Sequence, residues 1–102
     1  MRLIQLLLPL FAETGRKISE KEFARVRDEL TQRYGGVTAY SHAPATGLWK
    51  RASGKIDRDT MILVEVIVKH FDRAEWRVYR KELEKRFAQK RLLARASHIE
   101  II

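Results

Sequence analysis

The sequence predicts an α+β sandwich in the order βαβ-βαβ, a four-stranded antiparallel sheet with two helices on one face. Three observations carry this reading. Two segments open with the same helix-start signal, ISEKEF (18–23) and FDRAEW (71–76). Apolar runs of strand length stand before and after each of them. The whole chain has 102 residues, the size of one domain, so residues 1–102 are read as a single unit.

LIQLLLPL (3–10) reads as the first strand. A signal peptide would need a richer basic region and an A-x-A site. Here the basic region is one arginine, Gln5 and Pro9 interrupt the run, and no such site follows. No apolar run reaches the ~20 residues of a membrane span, so no membrane partner is expected.

Helix one follows. Ser19 stands at the N-cap, with Glu22 three residues on to reach back to the cap amide. Ile18 is placed to pack on Phe23 as a hydrophobic staple. Asp72, Glu75, Phe71 and Trp76 repeat the arrangement at helix two. The helix bodies match as well: Phe23, Val26, Leu30 and Tyr34 recur as Trp76, Tyr79, Leu83 and Phe87, each set on one stripe. Gly35-Gly36 ends helix one, because glycine tolerates the left-handed cap.

VTAYSH (37–42) is the second strand, TMILVEVIVK (60–69) the third and LLARASHIEII (92–102) the fourth. Residues 43–59 are a long link for so small a domain. Gly47 would turn the chain just before Trp49, which plugs a sheet edge or a partner. Ser53-Gly54 marks a second turn, which would make the link a hairpin. Right-handed crossovers interlock two such units into the ferredoxin-like fold, with strands one and three central.

Alternation divides the strands into two faces. Ile4, Leu6, Leu8, Ile62, Val64, Val66 and Val68 face the helices. Leu3, Gln5, Leu7, Met61, Leu63, Glu65, Ile67 and Lys69 face away, joined by Thr38, Tyr40 and His42. Strand four has no clean parity, and Arg95 favours turning Leu93, Arg95, Ser97 and Ile99 outward. An apolar patch of this kind is seldom left in water. A second copy is the simplest cover, so a homodimer is expected, as in dimeric α/β barrels. That analogy is one of fold and carries no activity.

Four stretches, RYGGVTAY, GLW, DRDTMILVEV and YRKELEKRFAQ, resemble a group of small bacterial proteins of unknown function. The resemblance spans roughly residues 33–95. It rests on Gly36 and Thr38, on Gly47 and Trp49 of a G-x-W motif, on Asp59, and on Phe87 and Gln89 at the end of a helix. Tyr79 precedes Phe87 by more than the spacing of that pattern. The resemblance implies no activity. Some members are lipid-anchored, a feature not expected here because the chain has no cysteine.

The missing cysteine also excludes a disulfide framework, thiol chemistry and a Cys-ligated metal, and it fits a reducing cytoplasm. Ser41-His42 and Ser97-His98 are not catalytic dyads, because neighbours on a strand point to opposite faces. Glu65 is the most informative single residue. At a dimer seam it would lose hydration unless Arg95 or another cation paired with it. With Gln5, Tyr40, His42 and Trp49 it outlines a small-ligand site. Glu65, His42 and Tyr40 are also the weak candidates for moving a proton. His42 and Glu65 supply too few ligands for a metal, and nothing implies a cofactor.

The net charge of +8 attracts polyanions. Helix two gathers part of it in a ridge of Arg73, Arg77, Lys81 and Lys85 at i, i+4 spacing. A solvated helix face is the ordinary reading of such a ridge. The sheet lacks the central-strand aromatics of an RNA-recognition motif, which disfavours that mode of nucleic-acid binding. Three functions remain in order of preference. They are a homodimeric interaction or small-ligand domain, an enzyme with a site at the dimer seam, and a polyanion binder through helix two.

Overall fold

The computed structural model describes residues 1–50, 52–53 and 56–102, and among these the side chains of 39–47, 49 and 56–59 lie outside the description. The elements are β1 (Arg2–Pro9), α1 (Glu20–Tyr34), β2 (Thr38–Lys50), β3 (Ile56–Val68), α2 (Arg73–Arg86) and β4 (Ala94–His98). The class is α+β, two helices with an antiparallel sheet. Its strands lie in the order β2-β3-β1-β4.

β1 runs antiparallel to β3, with Gln5 opposite Glu65, and antiparallel to β4, with Gln5 opposite Arg95. Ile4, Leu6, Leu8, Ile62, Val64, Val66 and Val68 are buried and form one core with Phe23, Val26 and Leu30 of α1 and Trp76, Tyr79 and Leu83 of α2. Both helices therefore cover the same sheet face. Phe23 and Phe87 meet at 5.3 Å between ring centroids, and Tyr34 stacks on Trp76 at 5.2 Å.

Three local expectations are corrected. Residues 43–59 are not a link between short strands. The ladder of β2 and β3 resumes at Ala45–Met61 after a register shift beyond Tyr40 and continues to Lys50–Ile56. Trp49 is thus a strand residue opposite Asp57, and Gly47 pairs with Asp59 instead of turning. Ala52 and Ser53 lie in a turn, so the hairpin is the reading that holds. The strand continues across Pro44 because β2 lies at the sheet edge and Pro44 falls within the shift.

The fourth strand is shorter than expected. It stops at His98, with one further bond from Ile99 N to Met1 O at 3.2 Å. Ile101 and Ile102 are exposed.

The two helix starts differ. Asp72 caps α2, its Oδ1 accepting from Ala74 N at 3.0 Å and Glu75 N at 3.4 Å. Ser19 holds the N-cap position of α1 without a side-chain cap bond. Glu22 Oε2 is buried with no hydrogen-bond partner, so the reciprocal box does not close. Glu75 accepts from Tyr34 Oη at 3.4 Å across the helices. Asp72→Ala is accordingly expected to cost about 1 kcal/mol, and Ser19→Ala only a few tenths. Chemical denaturation of the two variants checks the contrast. Gly35 ends α1 at φ +79°, its N–H reaching Thr31 O at 2.8 Å, where a side chain would strain the left-handed backbone.

Candidate functional site

The open sheet face carries a polar line across three strands. Arg95 Nε donates to Gln5 Oε1 at 2.7 Å, and Gln5 Nε2 donates to Glu65 Oε2 at 3.1 Å. The register forces this arrangement, since cross-strand partners share a face. It also turns Arg95 and Ser97 of β4 outward. Gln5 relays between cation and carboxylate, so Arg95 reaches Glu65 through an amide and not by a direct ion pair. Around the line, Leu3, Leu7 and Leu63 are half-buried and Ile67 is 46% exposed. Met61 departs from the expected exposed set. It is buried between Pro9 and Ala45 in the ladder.

Tyr40 pairs with Leu63 in the ladder, two positions along β3 from Glu65. The side chains of Tyr40, His42 and Trp49 lie outside the described residues. Trp49 stands opposite Asp57, eight residues along β3 from Glu65 or roughly 26 Å. Trp49 and Glu65 therefore sit at opposite ends of the strand and do not share one pocket.

Two concavities were not foreseen in the sequence. The larger is about 630 Å³, with a floor of Leu7, Pro9, Met61, Leu92 and Leu93. Its carboxylates hold the loop after α2. Glu13 Oε1 accepts from Lys90 N at 3.0 Å, and Glu84 Oε2 accepts from Leu92 N at 2.9 Å. The smaller, about 230 Å³, is a groove between α2 and β4 lined by Ile4, Phe71, Trp76 and the arginines 73, 77, 80 and 95, with Ala94 and Ala96. Only the arginine half of this lining is legible in the sequence. Arg73, Arg77 and Arg80 share one side of α2, and the two alanines leave space opposite. Among the described residues, no group of three or more His, Asp and Glu could hold a metal ion.

A third cluster joins the helices. Arg86 donates Nη1 to Glu29 Oε1, and Nη2 to Glu29 Oε2 at 2.8 Å and to Glu82 Oε1 at 2.7 Å. Tyr79 Oη donates to Glu29 Oε1 at 3.4 Å. The hydrogen bond from Arg86 holds the Glu29 carboxyl below its ordinary range, although burial opposes it. Burial first, and then Glu29, raises the Tyr79 phenol. Arg86 and Tyr79 direct these donors to Glu29 and Glu82 within the fold, which marks a structural clasp.

No family model matches this chain, and no curated protein matches it. Among solved structures the chain is similar to a phage SAM lyase in complex with S-methyl-5'-thioadenosine. The TM-score is 0.65 at 11% identity, over 94% of this chain and 79% of that one. A phage SAM lyase in the apo state gives 0.62 at 10% identity, over 94% and 78%. At this identity the likeness is one of fold. Among the described residues, no helix is long and apolar enough to cross a membrane.

Proposed function

We propose that this chain is a ferredoxin-like domain acting as a homodimeric interaction or small-ligand module, two copies meeting across their open sheet faces. The strand order β2-β3-β1-β4, with both helices on one face, supports the ferredoxin-like reading. The observation that carries the dimer is the Arg95–Gln5–Glu65 line set among Leu3, Leu7, Leu63 and Ile67. Positive charge lies at its β4 end and negative charge at its β3 end. A two-fold axis along β1 exchanges those ends, so Arg95 of each copy would face Glu65 of the other. A C2 interface requires this kind of self-complementarity.

Completing the burial of the four apolar side chains contributes about 3–6 kcal/mol per copy. Association costs on the order of 4–15 kcal/mol. The apolar patch alone is therefore marginal, and the charge line decides register and affinity. Arg95→Glu or Glu65→Arg alone should weaken the dimer by about tenfold or more, and the double reversal should restore it. Sedimentation of the three variants reads this out. Equal affinity in all three would remove the proposed geometry.

One of the similar phage SAM lyase structures is in complex with S-methyl-5'-thioadenosine, which keeps a second reading in view, an enzyme at the seam using Glu65, His42 and Tyr40. The observation favouring it is that Glu65 Oε1 accepts no hydrogen bond among the described residues. S-methyl-5'-thioadenosine is the first probe. Saturable binding lost in Glu65→Gln while the dimer persists would favour catalysis over pure association.

A further inference from the structure

We propose that the groove between α2 and β4 binds a small phosphate-bearing molecule, held by Arg73, Arg77 and Arg80 over a floor of Ile4, Trp76 and Ala96. It lies between α2 and β4 on the helix side of the sheet and shares only Arg95 with the open-face line.

The cleft exists because β4 presents alanines where the core needs bulk. Ala94 pairs with Leu6 and Ala96 with Ile4, so both face the helices. Their small side chains leave room beneath α2: Ala94 is half-buried against the core, and Ala96 stays exposed. The space above them is bounded by arginines, and no carboxylate lines it. Positions 73 and 80 lie seven residues apart, about 10 Å along the helix, with 77 between them on the same side. Like charges so placed repel one another unless an anion lies between them.

Their donors are incompletely used. The Arg77 guanidinium forms no hydrogen bond or ion pair among the described residues. Arg80 Nε is buried without a hydrogen-bond partner, 4.0 Å from Glu84 Oε2, whose own bond goes to Leu92 N. Arg73 lies over the Phe71 ring at 5.4 Å and Arg2 over the same ring at 5.0 Å. One aromatic thus holds two guanidinium groups at the end of the groove. Such groups can still offer edge donors to an oxyanion.

Three guanidinium-bearing side chains lining one groove suit a phosphate, with its multiple acceptor oxygens and near-double charge, better than one carboxylate. A volume of 230 Å³ holds roughly eight waters. That admits a phosphate with a few attached carbons. Lys81 and Lys85, the rest of the basic ridge, do not line the cleft.

The test is a titration of ¹⁵N-labelled protein with glycerol 3-phosphate, then with inorganic phosphate, citrate and oligothymidylate. Saturable shifts confined to residues 73–80 and 94–96 are expected for glycerol 3-phosphate, with Kd below about 1 mM. Arg77→Gln and Ala96→Leu, the second filling the groove at constant charge, should each weaken binding about tenfold, and Lys85→Gln less than about twofold. Should Ala96→Leu fail to fold, the contrast between Arg77→Gln and Lys85→Gln still decides. Absence of saturable shifts, or equal loss in Lys85→Gln, overturns the site. Citrate bound more tightly than the phosphates overturns the ligand class. Oligothymidylate bound through Lys81 and Lys85, with Ala96→Leu harmless, moves the function to the open ridge.

Discussion

Phe87→Ala is expected to destabilise the fold by about 3–5 kcal/mol, the cost of an emptied aromatic site in a packed core. Phe87 is fully buried and closes the end of α2 against Phe23 of α1. It is the last member of the stripe that begins at Trp76, so its loss opens a void at the point where both helices and the sheet converge. A domain of this size has roughly 5–15 kcal/mol in total, so the variant should sit close to unfolding at ambient temperature. Val78→Ala on the same helix is the internal control. Val78 is 68% exposed, and its truncation should stay within about 0.5 kcal/mol. Urea titrations followed by circular dichroism check both. A Phe87→Ala cost below about 1 kcal/mol would contradict the packing described here.

Arg86→Met should cost about 1–3 kcal/mol, less than a fully buried ion pair because Glu29 keeps a third of its side chain in solvent. Methionine retains most of the buried length but leaves the Glu29 carboxylate with only the Tyr79 hydroxyl as hydrogen-bond donor and a longer-range attraction to Arg25. The pH dependence gives the diagnostic. Glu29 is lowered from 4.5 in the folded state, so its contribution is full above that value and is lost as pH falls through and below it. Arg86→Met should flatten this acid slope as well as lower the midpoint. At the alkaline end the sign reverses. The Tyr79 phenol is raised from 10.0, so stability falls as pH rises through 10 and beyond. Adding Glu29→Gln to Arg86→Met should recover part of the loss, since it removes the unpaired charge. Thermal midpoints between pH 3 and 7 would show no difference in slope between wild type and Arg86→Met if the clasp were idle.

Local chemistry made the helices legible. Asp72 lies where a side-chain oxygen meets two free amides, and both apolar stripes follow the helical period into the core. The two sheet faces were legible from the period-two pattern in β1 and β3. The length of β2 was not. Gly47, Pro44 and Ser53 all punctuate a chain locally, whereas the pairing of 45–50 with 56–61 is decided by the partner strand. Ser19 shows the same limit, because the residue type fits a cap that the side chain does not make.

Of the candidate site, Gln5, Glu65 and Arg95 were legible because alternation fixes which side chains share a face. Their order, with Gln5 between the charges, needed the register. The arginine groove was hidden because it depends on what is missing. Ala94 and Ala96 leave a space that no motif announces. Half of the basic ridge, Arg73 and Arg77, turned out to line it.

Sedimentation equilibrium of the wild-type chain at micromolar concentration tests most directly whether a second copy covers the oily sheet face. A mass of twice the 12.0 kDa chain is predicted, falling to one chain when Ile67→Glu places a carboxylate in the apolar patch. A stable single-chain mass for the wild type, unchanged by Ile67→Glu, would contradict the account.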